Sequence, residues 1–238
     1  MYIDVVLHPA EIATVLPVRD LSKTTCVVFD VLRATSSMVT ALAHGATEIY
    51  PVRTIEEALS LKVRMPEALL GGERHGDIIP GFQMGNSPLE YREQVRGRRI
   101  ITTTTNGTIA LRACEGAERV LVGAVLNIGA LAAVLRASWP QHVVIVCAGT
   151  FSDFALEDCC AAGLLIAYLG AESLSDSAHA ALGVTRLYPE PAAALHASRN
   201  GRVLMGTDRA ADVDWSAQLS LYDVVGEMKS AVIRPLTP

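Results

Sequence analysis

The chain has 238 residues, half of them hydrophobic, 5% aromatic and 19% charged, with a formal net charge of −5, which suits a chain that buries a core and excludes a disordered or fibrous one. The negative balance and scattered arginines exclude a broad nucleic-acid or anionic-membrane surface, so any anion site must be local. Five cysteines, two of them adjacent (Cys159 and Cys160), an N-terminus without a signal pattern and no apolar run near the roughly 18 residues of a membrane span predict a cytoplasmic, soluble protein.

The β-branched run 25–31 (TCVVFDV) predicts a strand that feeds a helix over 36–43 through the loop 32–35. Asp30 falls at the strand's carboxyl end with Arg33 in the loop after it, where open α/β sheets place ligands. By spacing alone the pair serves equally as a helix cap and its counter-ion.

A second strand fits 47–52, and Thr54 with Glu57 forms a capping box that opens a helix over 55–65. A short strand over 68–70 leads into 71–88 (GGERHGDIIPGFQMGNSP), whose five Gly and two Pro mark a functional loop. It carries Glu73, Arg74, Asn86 and Ser87, a mixture of acid, base and amide that suits a metal beside an oxyanion.

The strand 99–103 runs into Thr102-Thr103-Thr104-Thr105-Asn106-Gly107-Thr108 and then a helix over 108–114. Hydroxyls, amides and a Gly entering a helix make an anion site, although a Thr-rich strand with an Asn-Gly turn needs no ligand. Strands at 119–122 and 143–147 alternate with helices at 128–137 and 156–169. Cys147, Gly149 and Thr150 close the last strand, and Glu157 and Asp158 open the last of these helices, where acids also complement the helix dipole.

The alternation predicts an α/β fold, a mostly parallel sheet with helices on both faces and a helical C-terminal portion. It reads as one domain, with 173–183 as the candidate boundary if it divides into two lobes. The motifs GxxxxGK[ST], GxSxG and HExxH are absent, and Leu32 replaces the second acid of the paired-aspartate phosphatases. No cysteine is expected as nucleophile, since Cys147 has no His or Arg near it in sequence.

In order, DVLRATSS from Asp30, GGERHG from Gly71, GNSPLEY from Gly85, TTTTNGT from Thr102, CAGT from Cys147 and LED from Leu156 resemble the 2-phosphosulfolactate phosphatases. The resemblance runs from about residue 4 to 225 and includes Asn200-Gly201-Arg202, Asp212-Val213 and Asp223-Val224-Val225. It departs at Ser216, where the family has Cys, and at Gly226, where Pro is usual. It implies Mg2+-dependent hydrolysis of 2-phospho-3-sulfolactate to 3-sulfolactate, a step in coenzyme M synthesis.

For that chemistry the expected catalytic residues are Asp30, Arg33, Glu73 and Glu157. The phosphoester would be held by Arg74, Asn86, Ser87, Thr104, Thr105, Asn106, Gly107, Thr108, Cys147, Gly149 and Thr150, and Mg2+ by Asp30, Glu73, Glu157 and Asp158. The expected partner is a small anionic phosphoester, not nucleic acid or membrane, and a homo-oligomer is open. A non-catalytic anion-binding or sensor protein, or a phosphotransferase, would use the same cradle, and phosphate release separates these readings.

Overall fold

The computed structural model describes residues 1–14 and 16–236. In chain order it comprises β1 (Tyr2–Val6), α1 (Pro9–Thr14), β2 (Thr24–Phe29), α2 (Ala34–Ala43), β3 (Glu48–Pro51), α3 (Ile55–Arg64), β4 (Leu69–Arg74) and β5 (Asp77–Ile78). There follow β6 (Arg99–Thr103), α4 (Gly107–Ala113), β7 (Arg119–Gly123), α5 (Ile128–Ser138), β8 (His142–Cys147), α6 (Leu156–Leu169) and β9 (Ser173–Leu174). The C-terminal part is α7 (Asp176–Leu187), α8 (Pro191–Ala197), α9 (Arg199–Met205), α10 (Ala210–Ser216), β10 (Gly226–Lys229) and β11 (Val232–Pro235).

The strands form one sheet in the order β5-β4-β6-β3-β11-β10-β7-β2-β8-β1-β9. β2 is buried along its whole length, as a parallel strand covered on both faces must be. Its side chains alternate: Val27 and Phe29 join a core with α5 and α6, while Cys26 and Val28 join a second core with α2 and α4. Helices therefore cover both faces, as the alternating pattern predicts.

Two features depart from the sequence reading. The helical C-terminal portion is present as α7 to α10, but β10 and β11 follow it and return as an antiparallel hairpin between β7 and β3, so the parallel sheet is two halves joined at its middle. Gly226 sits at that joint because a Cβ there would lie 2.7 Å from Leu42 Cδ1, which explains a Gly where a larger residue is usual. The loop expected over 71–88 begins as strand β4, which pairs with β6 and carries Glu73 and Arg74 before turning into β5.

Thr54 caps α3 by accepting the Glu57 N–H at 3.1 Å, while the Glu57 carboxylate reaches back to Arg53 N–H rather than to Thr54. Within 173–183, β9 pairs with β1 and α7 lies against α6, where Thr185 Oγ1 donates to the Cys160 carbonyl at 3.0 Å. Among the described residues no helix is long and apolar enough to cross a membrane.

Candidate active site

The site forms where β2, β4, β6 and β8 end, the carboxyl edge at which open α/β sheets leave a crevice. Asp30 follows β2 and is buried, and its Oδ1 accepts the Ala34 N–H at 3.1 Å. The hydroxyls of α2 build its surroundings: Thr35 Oγ1 accepts the Asp30 N–H, and Ser36 and Ser37 donate to the carbonyls of Val31 and Asn86. These buried polar side chains are thus satisfied locally, and they fix the loop that aims Asp30. Gly107, at the start of α4, permits this approach, because a Cβ there would stand 2.6 Å from Asp30 Oδ2.

Arg33 is buried and held from two sides. Its Nη1 donates to Asp212 Oδ2 at 2.7 Å and its Nη2 to the Gly76 carbonyl at 3.0 Å. Asp212, from α10, also accepts the Ser87 hydroxyl at 2.5 Å. The pair is 5% and 4% exposed, and removing one partner of such a pair costs about 3–5 kcal/mol because the other charge stays buried.

Glu73 points inward from β4 and its carboxylate is held at both oxygens. Oε1 accepts the Thr105 N–H at 2.7 Å, and Oε2 accepts the Thr105 hydroxyl and the Gly76 N–H. At the start of α6, Asp158 accepts the N–H groups of Val31 and Gly149 at 2.8 and 3.0 Å, tying the ends of β2 and β8 together. Glu157 is buried beside Ser198 and Asn200.

Burial raises the proton affinity of three of these acids, and neighbouring charges add to it at Asp30 and Asp158. Burial, aided by the charges of Glu73 and Glu157, pushes the Asp30 carboxyl up to about 7. Burial also raises Glu157, and Asp158 rises well above the usual range through burial and the neighbouring Glu157 and Asp30 charges. A cation would relieve this cluster.

A cavity of about 200 Å³ opens over Asp30, and of the expected residues Arg33, Glu73, Asn86, Thr105 and Asn106 line it, with Gly149 and Thr150. The others stand elsewhere. Arg74 turns away, donating to the Glu73 and Arg53 carbonyls and to Thr103 Oγ1. Ser87 lines a neighbouring cavity. Thr104 and Thr108 lie behind the wall, where the Thr108 hydroxyl accepts the Thr104 N–H and donates to its carbonyl while Thr104 Oγ1 accepts the Thr108 N–H. Glu157 and Asp158 sit beneath the lining, and Cys147 is wholly buried with its thiol pushed well above the usual range by burial.

Residues that sequence reasoning gave no role complete the cavity: His75, Phe151, Arg199, Asn200, Thr207 and Arg209. Asn200 and Asp212 fall in strings that carry the resemblance, which was the available signal. Arg199 and Arg209 offer none, since α9 and the segment after it bear no strand-end or glycine-rich signature.

Comparison with known proteins places the chain. The family profile described as 2-phosphosulpholactate phosphatase matches residues 11–231. A Carboxydothermus hydrogenoformans protein named probable 2-phosphosulfolactate phosphatase is 41% identical over 230 residues, 95% of this chain and 93% of its own length. Proteins of the same name from Deinococcus radiodurans and Clostridium perfringens are 44% identical over 81% of this chain and 82% of theirs, and 36% identical over 98% and 96%. The ordered strand-end motifs, the cavity they build and these matches over nearly the whole length agree, and the chain belongs to the 2-phosphosulfolactate phosphatase family, a family of phosphoric monoester hydrolases.

Proposed function

We propose that this chain is a Mg2+-dependent phosphatase that hydrolyses 2-phospho-3-sulfolactate, or a small phosphoester of the same anionic kind, to 3-sulfolactate and phosphate. The observation that carries the reading is a buried Asp30 carboxyl sharing one cavity with an Arg33 guanidinium that Asp212 and Gly76 hold in place. The setting we assign is a cytoplasmic step of coenzyme M synthesis, in keeping with five free, buried thiols.

The donors fit Mg2+, which takes oxygen ligands and keeps several waters. Of the four acids, Asp30 and Glu73 line the cavity while Glu157 and Asp158 lie beneath it, so Asp30 and Glu73 are the residues that would hold the ion. When bound, the cation supplies positive charge to the phosphoryl oxygens.

Arg33 offsets charge on the same phosphoryl group, and its fixed position means that no reorganisation is needed as the transition state forms. The ionised Asp30 carboxylate accepts a proton from the attacking water while the ester P–O bond breaks, and that proton passes to the leaving alkoxide, which departs as the 3-sulfolactate hydroxyl and returns Asp30 to its ionised form.

Release of inorganic phosphate from 2-phospho-3-sulfolactate, assayed after EDTA treatment and again with Mg2+ restored, tests this. Asp30→Asn should lower kcat by about a hundredfold or more, and a variant with full metal-dependent turnover would sink the assignment.

A further inference from the structure

Three arginines line the cavity: Arg33, Arg199 and Arg209. Arg33 is buried and committed to Asp212, and with a cation it suffices for one phosphoryl group. The other two guanidiniums exceed what phosphate alone requires.

Their present partners are weak. Arg199, the first residue of α9, meets Asp153 at 2.5 Å with both side chains more than half exposed, 57% and 59%. Arg209 meets Asp77 at 2.9 Å, and that Asp is 79% exposed. Arg209 also donates to the Gly76 carbonyl. Exposed pairs of this kind are worth at most about 1 kcal/mol, so an anion inside the cavity can displace either aspartate.

The surroundings favour that exchange. Val203 and Leu204 of α9 line the same cavity, as do Phe151 and His75, whose rings stack at 6.0 Å. Apolar and aromatic surface lowers the local dielectric, which strengthens a guanidinium–anion contact relative to one in water. Arg74, the arginine that sequence reasoning assigned to substrate, is occupied outside the cavity lining.

We infer that Arg199 and Arg209 form a subsite for a second anionic group of the substrate, a carboxylate or sulfonate, and so determine which phosphoesters are accepted. The inference rests on the phosphatase reading for its kinetic consequence, though not for binding.

The test compares Arg199→Gln, Arg209→Gln and the double variant with wild type on 2-phospho-3-sulfolactate and on isopropyl phosphate, which lacks both acids. The expected result is that kcat/KM for 2-phospho-3-sulfolactate falls about ten- to a hundredfold more than that for isopropyl phosphate, through KM, as loss of a hydrogen bond to a charged group implies. An equal fall on both substrates, or no fall, would overturn the subsite. Calorimetric titration with 3-sulfolactate, which bears no phosphate, separates the two readings. Binding to wild type but not to the double variant, with no ester hydrolysed, would keep the subsite and remove the phosphatase. Equal binding to both proteins, or none to wild type, would remove the subsite whatever the kinetics. Arg199→Gln changes an exposed side chain, so its melting temperature should match wild type and any loss reads as recognition.

Discussion

At Ser216 the structure shows a local defect. The side chain is wholly buried in α10 and its hydroxyl has no hydrogen-bond partner among the described residues. An unsatisfied buried polar group costs about 1–3 kcal/mol, whereas a thiol of similar size behaves as a small hydrophobe. Ser216→Cys, the residue expected of the family at this position, should therefore raise stability by about 1 kcal/mol in chemical denaturation, with kcat unchanged. A destabilised variant would mean that the hydroxyl has a partner in solution. Arg33 shows the opposite case: every contact it makes is long-range or specific, and its role is readable only with Asp212 in view.

At the scale of elements, the Thr-rich run at the end of β6 serves two purposes. Thr105 and Asn106 reach the cavity, while Thr104 and Thr108 close a reciprocal latch that starts α4. Thr108→Ala should accordingly behave as the loss of a cap, lowering stability by about 1–2 kcal/mol. Turnover measured on the still-folded variant should stay within about threefold of wild type, since no donor aimed at the substrate is lost. A hundredfold fall in kcat at unchanged melting temperature would restore Thr108 to the phosphate cradle. The β10–β11 hairpin makes its own prediction. Ser230 and Ala231 both have positive φ, 49° and 60°, and Lys229 pairs with Val232 across them, the geometry of a two-residue type I′ turn that Asn-Gly prefers. Replacing Ser230-Ala231 by Asn-Gly should relieve about 1 kcal/mol and raise Tm by roughly 2–4 °C. An unchanged or lower Tm would show that the turn carries no such strain.

For the whole molecule, the buried acids link stability to pH and to cation. Asp30 has its carboxyl raised in the folded state to about 7 from about 3.9 when unfolded. The stability it contributes is therefore fully present below the unfolded value and is lost as pH rises through the folded one. Glu157 and Asp158, raised in the same direction, act in the same sense. Metal-free protein should lose Tm steadily between about pH 4 and pH 7. With Mg2+ bound as proposed, the loss should be largely recovered at pH 8 and little changed at pH 5, where protons compete. Asp30→Asn should flatten the pH dependence of the metal-free form. A Tm that rises from pH 5 to pH 8 without Mg2+ would contradict the coupling of these acids.

What the sequence by itself determined is the part that depends on near neighbours. Hydrophobic periodicity and caps mark the parallel strands and their helices, so that Arg99–Thr103 and Leu156–Leu169 begin and end where the pattern does. Strand ends then place Asp30, Glu73, Thr105 and Gly149 on one edge of the sheet. β1 was not legible, being five residues interrupted by Asp4, whose carboxylate is met by Arg19 and Ser177. Nor was the hairpin, whose turn lacks the Asn-Gly signal. Only the tertiary structure decided that the chain's end enters the middle of the sheet and that Arg74 leaves the site. It also decided that α9 and α10 bring Arg199, Arg209 and Asp212 over Asp30. Arg33 and Asp212 are 179 residues apart, and no local propensity registers a contact at that separation. It exists because the topology of the sheet and helices brings both side chains to one buried place, where a guanidinium has to be paired with a carboxylate.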